Sequence, residues 1–388
     1  MPPHATGQPG GAAPSNHYAQ ERAKLLSTPV ERYEPRPRPE AREQLLAMAR
    51  SGGPLRTLGE LYLRWEEMLT RERQVIWLAI AGAYIPFGLG TVLRRLMEHH
   101  LIDVLVTTPA QLTHDLTEVR GLHHYQGSPD ADDNTLQALD VNRYWNVYGD
   151  EQELNTNEDV IFDFAETLDP GRAYTASEYF YRLGRWLDGA GRRHKGADGM
   201  VTTAARLGLP IFCPSPGDGD ITTDLAHYRK RTGRRIVLDA VKETLDMVAL
   251  NAAVEDHGGR AGLITMGGGA PRNYAQQAMA CAYMLDRPDL KRYNYGLRIS
   301  LDPVQTGGLS GSTISEGKTW KKYATDTIIA EHFGDFMTAL AQMADALLAA
   351  RAQAPRPPGV TVCYTADGRL LVTVRGREID AQQVYGYA

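Results

Sequence analysis

"VIWLAIAGAYIPFGLGTVLRRLMEHHLIDVLVTTPAQ", residues 75–111, reads as a strand, a glycine-marked turn, a helix and a second strand. "VIWLAIAGAYIP" is an unbroken apolar run entering a Gly-rich turn, the pattern of a strand buried on both faces. "FGLGTVLRRLMEHH" reads as a helix, and "IDVLVTTPAQ" as a second strand that ends in polar residues. Working outward, apolar runs bounded by turn residues recur in "LPIFCPSPGDGD", "RRIVLDAV", "AGLITMGGGAP" and "YGLRISLDP". The segments "DGMVTTAARLG" and "VKETLDMVALNAAV" between them read as helices. Strands alternating with helices predict an α/β fold built on a doubly wound, mostly parallel sheet.

The flanks differ in character. Residues 1–16 are rich in Gly, Pro and Ala and are expected to be disordered. The charged, proline-punctuated stretch up to residue 50 reads as an arm with short helices, so residues 1–50 form a disordered or helical N-terminal arm. "TLGELYLRWEEMLTRE" then sets Leu58, Leu61, Tyr62, Trp65, Met68 and Leu69 on one helical face, and the main domain spans 51–349. Beyond it, 350–388 comprise a proline-rich linker and a small C-terminal β-hairpin, with two alternating runs around Asp367-Gly368.

Composition narrows the function. Net charge is -5, with 42 basic against 47 acidic residues, which gives no reason to expect nucleic acid or a membrane surface as partner. The three cysteines are far apart and odd in number, as in a reducing compartment, and suggest neither a disulfide framework nor a zinc site. No apolar run approaches the length of a membrane span, and the start lacks the pattern of a secretory leader. A cytoplasmic protein is expected.

In doubly wound sheets ligands sit beyond the carboxyl ends of the strands. "AGAYIPFG" (81–88) and "VTTPAQLTHDL" (106–116) supply small residues, hydroxyls and the pair His114-Asp115 there. "MGGGAPRNY" (266–274) would let backbone N–H groups approach a phosphate, although none of these fits G-x-G-x-x-G. "GDGDITTD" (217–224) lacks the spacing and terminal glutamate of a calcium loop, and no metal is expected. "GSTISEGKTWKKY" (311–323) gathers three lysines around Trp320 and Glu316. By spacing alone such a cluster is a solvated helix face, His114-Asp115 is equally a helix cap or an acid–base pair, and His123 and His124 are structural.

Together these segments resemble the deoxyhypusine synthase family, in particular its bacterial deoxyhypusine-synthase-like and homospermidine synthase branch. The stretch "IDVLVTTPAQLTHDLTEVRGLHHYQGSPDADDNTLQALDVNRYWNVY" is similar to a family strand ending in Thr-x-x-x-Leu-Thr-His-Asp, with His-His-Tyr, Asp-Asp and Asn-Arg after it. "MGGGAPRNY" resembles the family's Gly-Gly-Gly-x-Pro-Lys, and "TGGLSGSTISEGKTWKKY" its Ser-Glu-x-x-x-Trp-Gly-Lys segment. The likeness runs from about residue 75 to about 347.

The resemblance implies a Rossmann-like NAD-binding fold and an NAD-dependent aminobutyl (aminoalkyl) transferase acting on polyamines. In that chemistry NAD takes a hydride from the carbon beside a donor amine. An enzyme lysine then holds the aminobutyl fragment as a Schiff base, and an acceptor amine displaces the lysine. Spermidine-using members transfer to a lysine of a translation factor, homospermidine synthases to putrescine; a small amine acceptor is expected here. The resemblance also implies a homotetramer with active sites at subunit interfaces.

Carried over residue by residue, the Schiff-base lysine falls on Lys322. Glu316 would hold a substrate ammonium and Trp320 would cover the methylenes. Asp218 falls beside the nicotinamide. Thr108, Gly268, Asp335 and the 82–86 loop, with Gly82, Ala83 and Pro86, contact the dinucleotide. His114 replaces a glutamate near the cofactor and is the second catalytic candidate. Asn273 and Leu309 stand where eukaryotic members have a substrate-binding histidine and aspartate, and another substrate aspartate maps to Thr223 or Asp224. Lys318 and Lys321 are additions. Lost anions and added lysines suggest a donor less charged than spermidine. The alternative is a non-catalytic, NAD-binding oligomeric scaffold with a degraded polyamine pocket.

Overall fold

Six strands build the centre of the molecule: β1 (Gln74–Ala81), β2 (Val104–Thr107), β3 (Ile211–Phe212), β4 (Arg260–Gly267), β5 (Tyr293–Ser300) and β6 (Tyr323–Phe333). The structure, a computed structural model, describes residues 16–189, 191–195 and 197–387. Every pairing in this sheet is parallel and the order is β3-β2-β1-β4-β5-β6. The chain therefore winds outward from β1 in one direction, returns to β4, and winds outward in the other. Strand order reverses between β1 and β4, which opens a crevice at their carboxyl ends.

The apolar run of β1 explains its central position. Ile76, Leu78 and Ile80 face one apolar layer, and Val75, Trp77 and Ala79 face the other. All are essentially excluded from solvent, and fully burying a large aliphatic or aromatic side chain contributes about 1.5–3 kcal/mol. The first layer includes the helices Gly53–Thr70, Gly90–Glu98, Ala176–Leu187, Met200–Leu207 and Phe336–Arg351. The second includes Ala240–Asp256 and Gly269–Ala280. Leu61, Tyr62, Trp65, Met68 and Leu69 of the first helix are buried, with Leu58 half-buried against them.

Two strand expectations need correction. "RRIVLDAV" yields only Val237–Leu238, which pairs with Ala173–Tyr174 outside the main sheet. Asp239 stops it by capping the next helix, its carboxylate accepting from the Lys242 N–H at 2.9 Å. Conversely, β6 is a strand that the apolar-run reading did not identify. It lies at the sheet edge, so its buried and exposed residues are mixed. In the aromatic stretch 174–186, Tyr174, Tyr179 and Phe180 are buried in the first apolar layer.

At the C-terminus Thr361–Tyr364 and Leu370–Val374 pair antiparallel around Asp367-Gly368, and Arg377–Asp380 adds a third strand. This small sheet packs on the second apolar layer through Val362, Leu370 and Val372. The proline-rich segment before it is anchored by Arg356, whose buried guanidinium meets Asp103 at 2.8 Å. In the N-terminal arm, Asn16–Leu25 and Pro39–Met48 are helices. The expectation for residues 1–16 lies outside the described residues except at Asn16. No helix among the described residues is long and apolar enough to cross a membrane.

Candidate active site

The carboxyl ends of β1, β2 and β4 meet in register. Ile80 is opposite Thr107 and Ala81 opposite Gly267, so Gly82, Thr108 and Gly268 follow side by side. The approach is too close for side chains. A Cβ on Gly267 would lie 2.3 Å from the Ala81 carbonyl oxygen and 2.8 Å from the Phe336 ring. Gly82 and Gly267 both have positive φ, 129° and 72°, which glycine adopts without steric cost.

Two helices start at this crevice. Thr108 precedes Pro109–Val119 and Gly268 precedes Gly269–Ala280, and neither supplies a side-chain cap. Pro109 and Pro271 have no N–H, and the Gln111 N–H donates to the Thr108 carbonyl at 3.2 Å. The N–H groups of Ala110, Gly269 and Ala270 are the ones left for solvent or an anionic ligand. The 82–86 turn is pinned from below: the Ile85 N–H donates to Gln111 Oε1 at 3.1 Å, and Tyr84 and Thr107 hydroxyls bond at 2.6 Å. Pro86 is buried and Ala83 half-buried. Asp335 lies just past β6, where its carboxylate caps Phe336–Arg351 by accepting from the Met337 and Thr338 N–H groups. Burial raises its pKa, but these bonds outweigh that and hold it low.

Lys322 is placed by the residues around it. Thr313 caps the short helix Ile314–Thr319, accepting from the Glu316 N–H. Ile314 packs over Gly296 of β5, where any Cβ would clash at 2.4 Å. The Lys322 N–H donates to the Gly317 carbonyl at 3.1 Å. Next in sequence, Tyr323 is buried and accepts from Gln276 Nε2 at 2.9 Å. The Lys322 ammonium nitrogen then reaches Asn273 Oδ1 at 2.8 Å. Asn273 lies about one turn, roughly 6 Å, into the helix that begins at the glycine crevice.

Burial, and then the charge of Arg272, push the Lys322 pKa down, while Glu316 opposes them. A depressed pKa gives more free amine near neutrality, which a nucleophile needs. The Trp320 ring centroid is 5.9 Å from Lys322 Nζ. Trp320 is 67% exposed, unusual for its size, and leaves a face open to a ligand. Leu309, 51% exposed, lies over Gly269, and its carbonyl accepts from Arg272 Nη1 at 3.0 Å. Arg272 is itself buried, with Nε and Nη2 unpartnered. Sequence reasoning singled out its neighbours but not Arg272, though it stands three residues after the glycine triplet, where the family pattern Gly-Gly-Gly-x-Pro-Lys has its lysine.

His114 and Asp224 belong to a second group, on the β2–β3 side. They line a concavity of about 770 Å³ with Tyr144, Glu151, Glu158 and Asp220 among its walls. Four carboxylates against one arginine, Arg143, make it suited to a cation. Burial, then Glu158 and Asp220, push Asp224 up to about 7. His114 Nδ1 and His124 Nε2 share a hydrogen bond of 3.0 Å, and burial, then His124, push His114 down to about 3. It is therefore neutral at physiological pH. Asp115 points elsewhere: its carboxylate accepts from the Met200 and Val201 N–H groups at 2.6 and 2.9 Å, capping another helix. His114 and Asp115 thus have separate partners, and the more consequential contact of His114 is His124.

The two groups stay apart. Among the described residues no hydrogen bond or ion pair joins Lys322, Asn273 and Trp320 to His114 and Asp224, and none of those three lines the His114–Asp224 concavity. Asp218 lies exposed in the turn before the Asp220–Thr232 helix. Lys318 and Lys321 do not join Lys322 at Asn273; they line a different concavity with Arg260 and Arg292. Among the described residues no group of three or more His, Cys, Asp or Glu could hold a metal ion.

The deoxyhypusine synthase family profile matches residues 45–342. A "Probable deoxyhypusine synthase 2" of Methanosarcina acetivorans is 32% identical over 306 residues, 79% of this chain and 86% of that protein. A deoxyhypusine synthase-like protein of Elusimicrobium minutum is 30% identical over 286 residues, 73% of each chain. The crystal structure of an Entamoeba histolytica protein assigned as a deoxyhypusine synthase aligns with TM-score 0.50 at 17% identity, over 81% of this chain and 94% of that one, a likeness of fold. With its profile match spanning most of the sheet and both groups of polar residues, the chain belongs to the deoxyhypusine synthase family.

Proposed function

We propose that this protein is an NAD-dependent aminoalkyl transferase that forms an imine between Lys322 and a fragment of a polyamine, and passes that fragment to a small amine acceptor. The observation that carries this reading is Lys322 itself: half-buried, depressed in pKa by burial and Arg272, and held at 2.8 Å from Asn273 Oδ1. A lysine on a merely solvated face has no cause for any of these.

The crevice fits a dinucleotide. The strand order is that of the Rossmann-type sheet, and its switch point has a floor of close-packed glycine with two uncapped helix N-termini above it. Gly82, Ala83, Pro86, Thr108 and Gly268 would hold NAD there, with Asp218 and Asp335 on its borders. When bound, NAD supplies the acceptance and return of a hydride.

The chain's own residues do the rest. The free amine of Lys322 adds to the oxidised carbon of the substrate and expels an amine. Asn273 orients Lys322 through its amide oxygen without adding a charge that would hold the ammonium form. Glu316 attracts a distal ammonium, Trp320 covers the methylenes, and Leu309 narrows the approach. Asp224 takes a second ammonium, and His114, kept neutral and oriented by His124, can hydrogen-bond the substrate without adding a charge.

In this reading the two groups complete each other across a subunit interface in a homotetramer. Leu309, Trp320 and Phe333, between 51% and 67% exposed, would be covered there. Residues 51–349 form the catalytic unit, with 1–50 as arm and 350–388 as appendage, in the cytoplasm.

The test is incubation with NAD and spermidine or putrescine, borohydride trapping, and mass spectrometry. An aminobutyl adduct on Lys322, absent in Lys322→Ala, is expected. Full product formation by Lys322→Ala would exclude the mechanism.

A further inference from the structure

The amino ends of β4, β5 and β6 form the edge of the sheet opposite its carboxyl-end glycine crevice. Arg260 opens β4, Arg292 immediately precedes β5, and Lys321 stands two residues before Tyr323 of β6. With Lys291 and Lys318 they line a concavity of about 460 Å³, in which Asp326 is the one carboxylate. In a chain of net charge -5, five cations on one wall are a strong local excess.

These cations are only partly neutralised: Glu255 attracts Arg260, Lys291 and Arg292, and Asp289 attracts Arg292, at longer range than an ion pair. Among the described residues none of the five makes an ion pair, whereas arginines elsewhere, such as Arg287 with Asp256, are paired. They are positioned by backbone carbonyls instead. Lys318 Nζ donates to Thr325 O at 2.8 Å, Arg292 Nη1 to Leu290 O at 2.6 Å, and Arg260 Nη2 to Arg292 O at 3.5 Å. A carbonyl fixes a donor without cancelling its charge. Arg260 Nε is buried with no partner at all. Arg292 and Lys321 have left-handed backbones, φ 69° and 57°, an uncommon conformation for residues with a Cβ. Glu255, fixed by the Lys291 backbone N–H at 2.8 Å, keeps its charge and offsets part of this excess. Five cations against the carboxylates of Asp326, Glu255 and Asp289 leave the concavity net positive, a repulsion that an anion sharing the site would offset.

We propose that this concavity is a binding site for a small ligand carrying several clustered phosphate groups. Arginine forks suit the planar spacing of phosphate oxygens, and lysines add point charges. The volume lies in the range of small-molecule sites. The inference does not depend on the aminoalkyl transfer reading, because its ligand, its residues and its readout differ.

Titration calorimetry on the full chain tests it, with tripolyphosphate, ATP, citrate and a short single-stranded RNA as probes. Both triphosphates are expected to bind, and Lys321→Glu, a change at an exposed side chain, to weaken them by about tenfold. Lys318→Glu/Lys321→Glu should weaken them further. Lys230→Glu, the same charge change on an exposed residue of the Asp220–Thr232 helix, should leave them unchanged and so control for net charge and for binding at the crevice. Tighter binding of ATP assigns the ligand to the nucleotides, and equal binding assigns it to inorganic polyphosphate; either supports the site. No triphosphate binding, equal affinity for citrate, binding of RNA alone, or equal weakening by Lys230→Glu would each overturn it.

Discussion

Asn273 Oδ1 accepts from Lys322 Nζ at 2.8 Å, across 49 positions of sequence. An amide oxygen orients the amine while leaving its protonation to burial and to Arg272. Replacing it with a carboxylate would stabilise the ammonium form, as opposite charges at this distance do. Asn273→Asp should therefore shift the pH dependence of borohydride trapping at Lys322 to higher pH, with Asn273→Ala lowering the yield about tenfold through lost orientation. An unchanged pH profile in Asn273→Asp would show that the contact does not persist in solution.

Asp224 gives a second pH signature. Burial, then Glu158 and Asp220, push its pKa up to about 7, so below that pH it is largely neutral. A cationic amine binds the ionised form, and kcat/KM should rise as pH passes through about 7. The free-amine fraction of Lys322 also rises with pH, from a pKa that burial and Arg272 hold below the ordinary lysine value. Asp224→Asn should remove the inflection near 7 and keep that of Lys322. The stability effect has the opposite sign. Because the folded pKa lies above the unfolded value, the folded state binds the extra proton, and Asp224 costs stability as pH rises toward 7. Asp224→Asn should raise the Tm at pH 8 and leave it unchanged at pH 4; an equal shift at both would point to packing instead.

Charge placement around Lys322 makes a third expectation. Lys321 follows Trp320 directly, yet its side chain lines the concavity with Arg260 and Arg292, away from Asn273. Lys321→Glu should leave the ratio of kcat/KM for spermidine over putrescine within about twofold, since an exposed charge contributes little. Leu309→Asp, at the mouth of the Lys322 site, should favour spermidine by about tenfold at a gain of about 1.4 kcal/mol. A large shift with Lys321→Glu and none with Leu309→Asp would reverse the assignment of the two sides.

What the sequence disclosed follows from how local each signal is. β1 and β2 were legible because both faces of a central parallel strand are buried, leaving unbroken apolar runs in residues 75–81 and 104–107. β6 was not, because an edge strand mixes Asp326 and Glu331 with Ile328 and Ile329. Val237–Leu238 misled for the opposite reason, since a short apolar run carries no mark of which sheet it joins. The role proposed for Lys322 rests on family resemblance, not on spacing, because its neighbours Asn273 and Arg272 lie on another element. The pairing of His114 with His124, and of Asp115 with the 200–207 helix, likewise depends on tertiary contact.

The C-terminal sheet is tied to the central one through a buried carboxylate. Asp103 is fully buried, and its carboxylate accepts from four donors. Oδ2 takes the Ile76 N–H and Arg356 Nη2, each at 2.8 Å, and Oδ1 takes Arg356 Nη1 at 2.9 Å and the Gly359 N–H at 2.7 Å. One side chain thus ties the start of β1 to the segment entering the C-terminal strands. Asp103→Ala leaves the Arg356 guanidinium buried without its counter-charge and should cost about 3–5 kcal/mol in urea unfolding. Arg356→Met removes the cation but leaves Asp103 two backbone donors, so its cost should be smaller by at least about 1 kcal/mol. If the pair rather than the individual residues matters, the double variant should be less destabilised than the sum of the two. Additive losses, or a cost below about 1 kcal/mol for Asp103→Ala, would mean that the C-terminal strands dock by apolar contact alone.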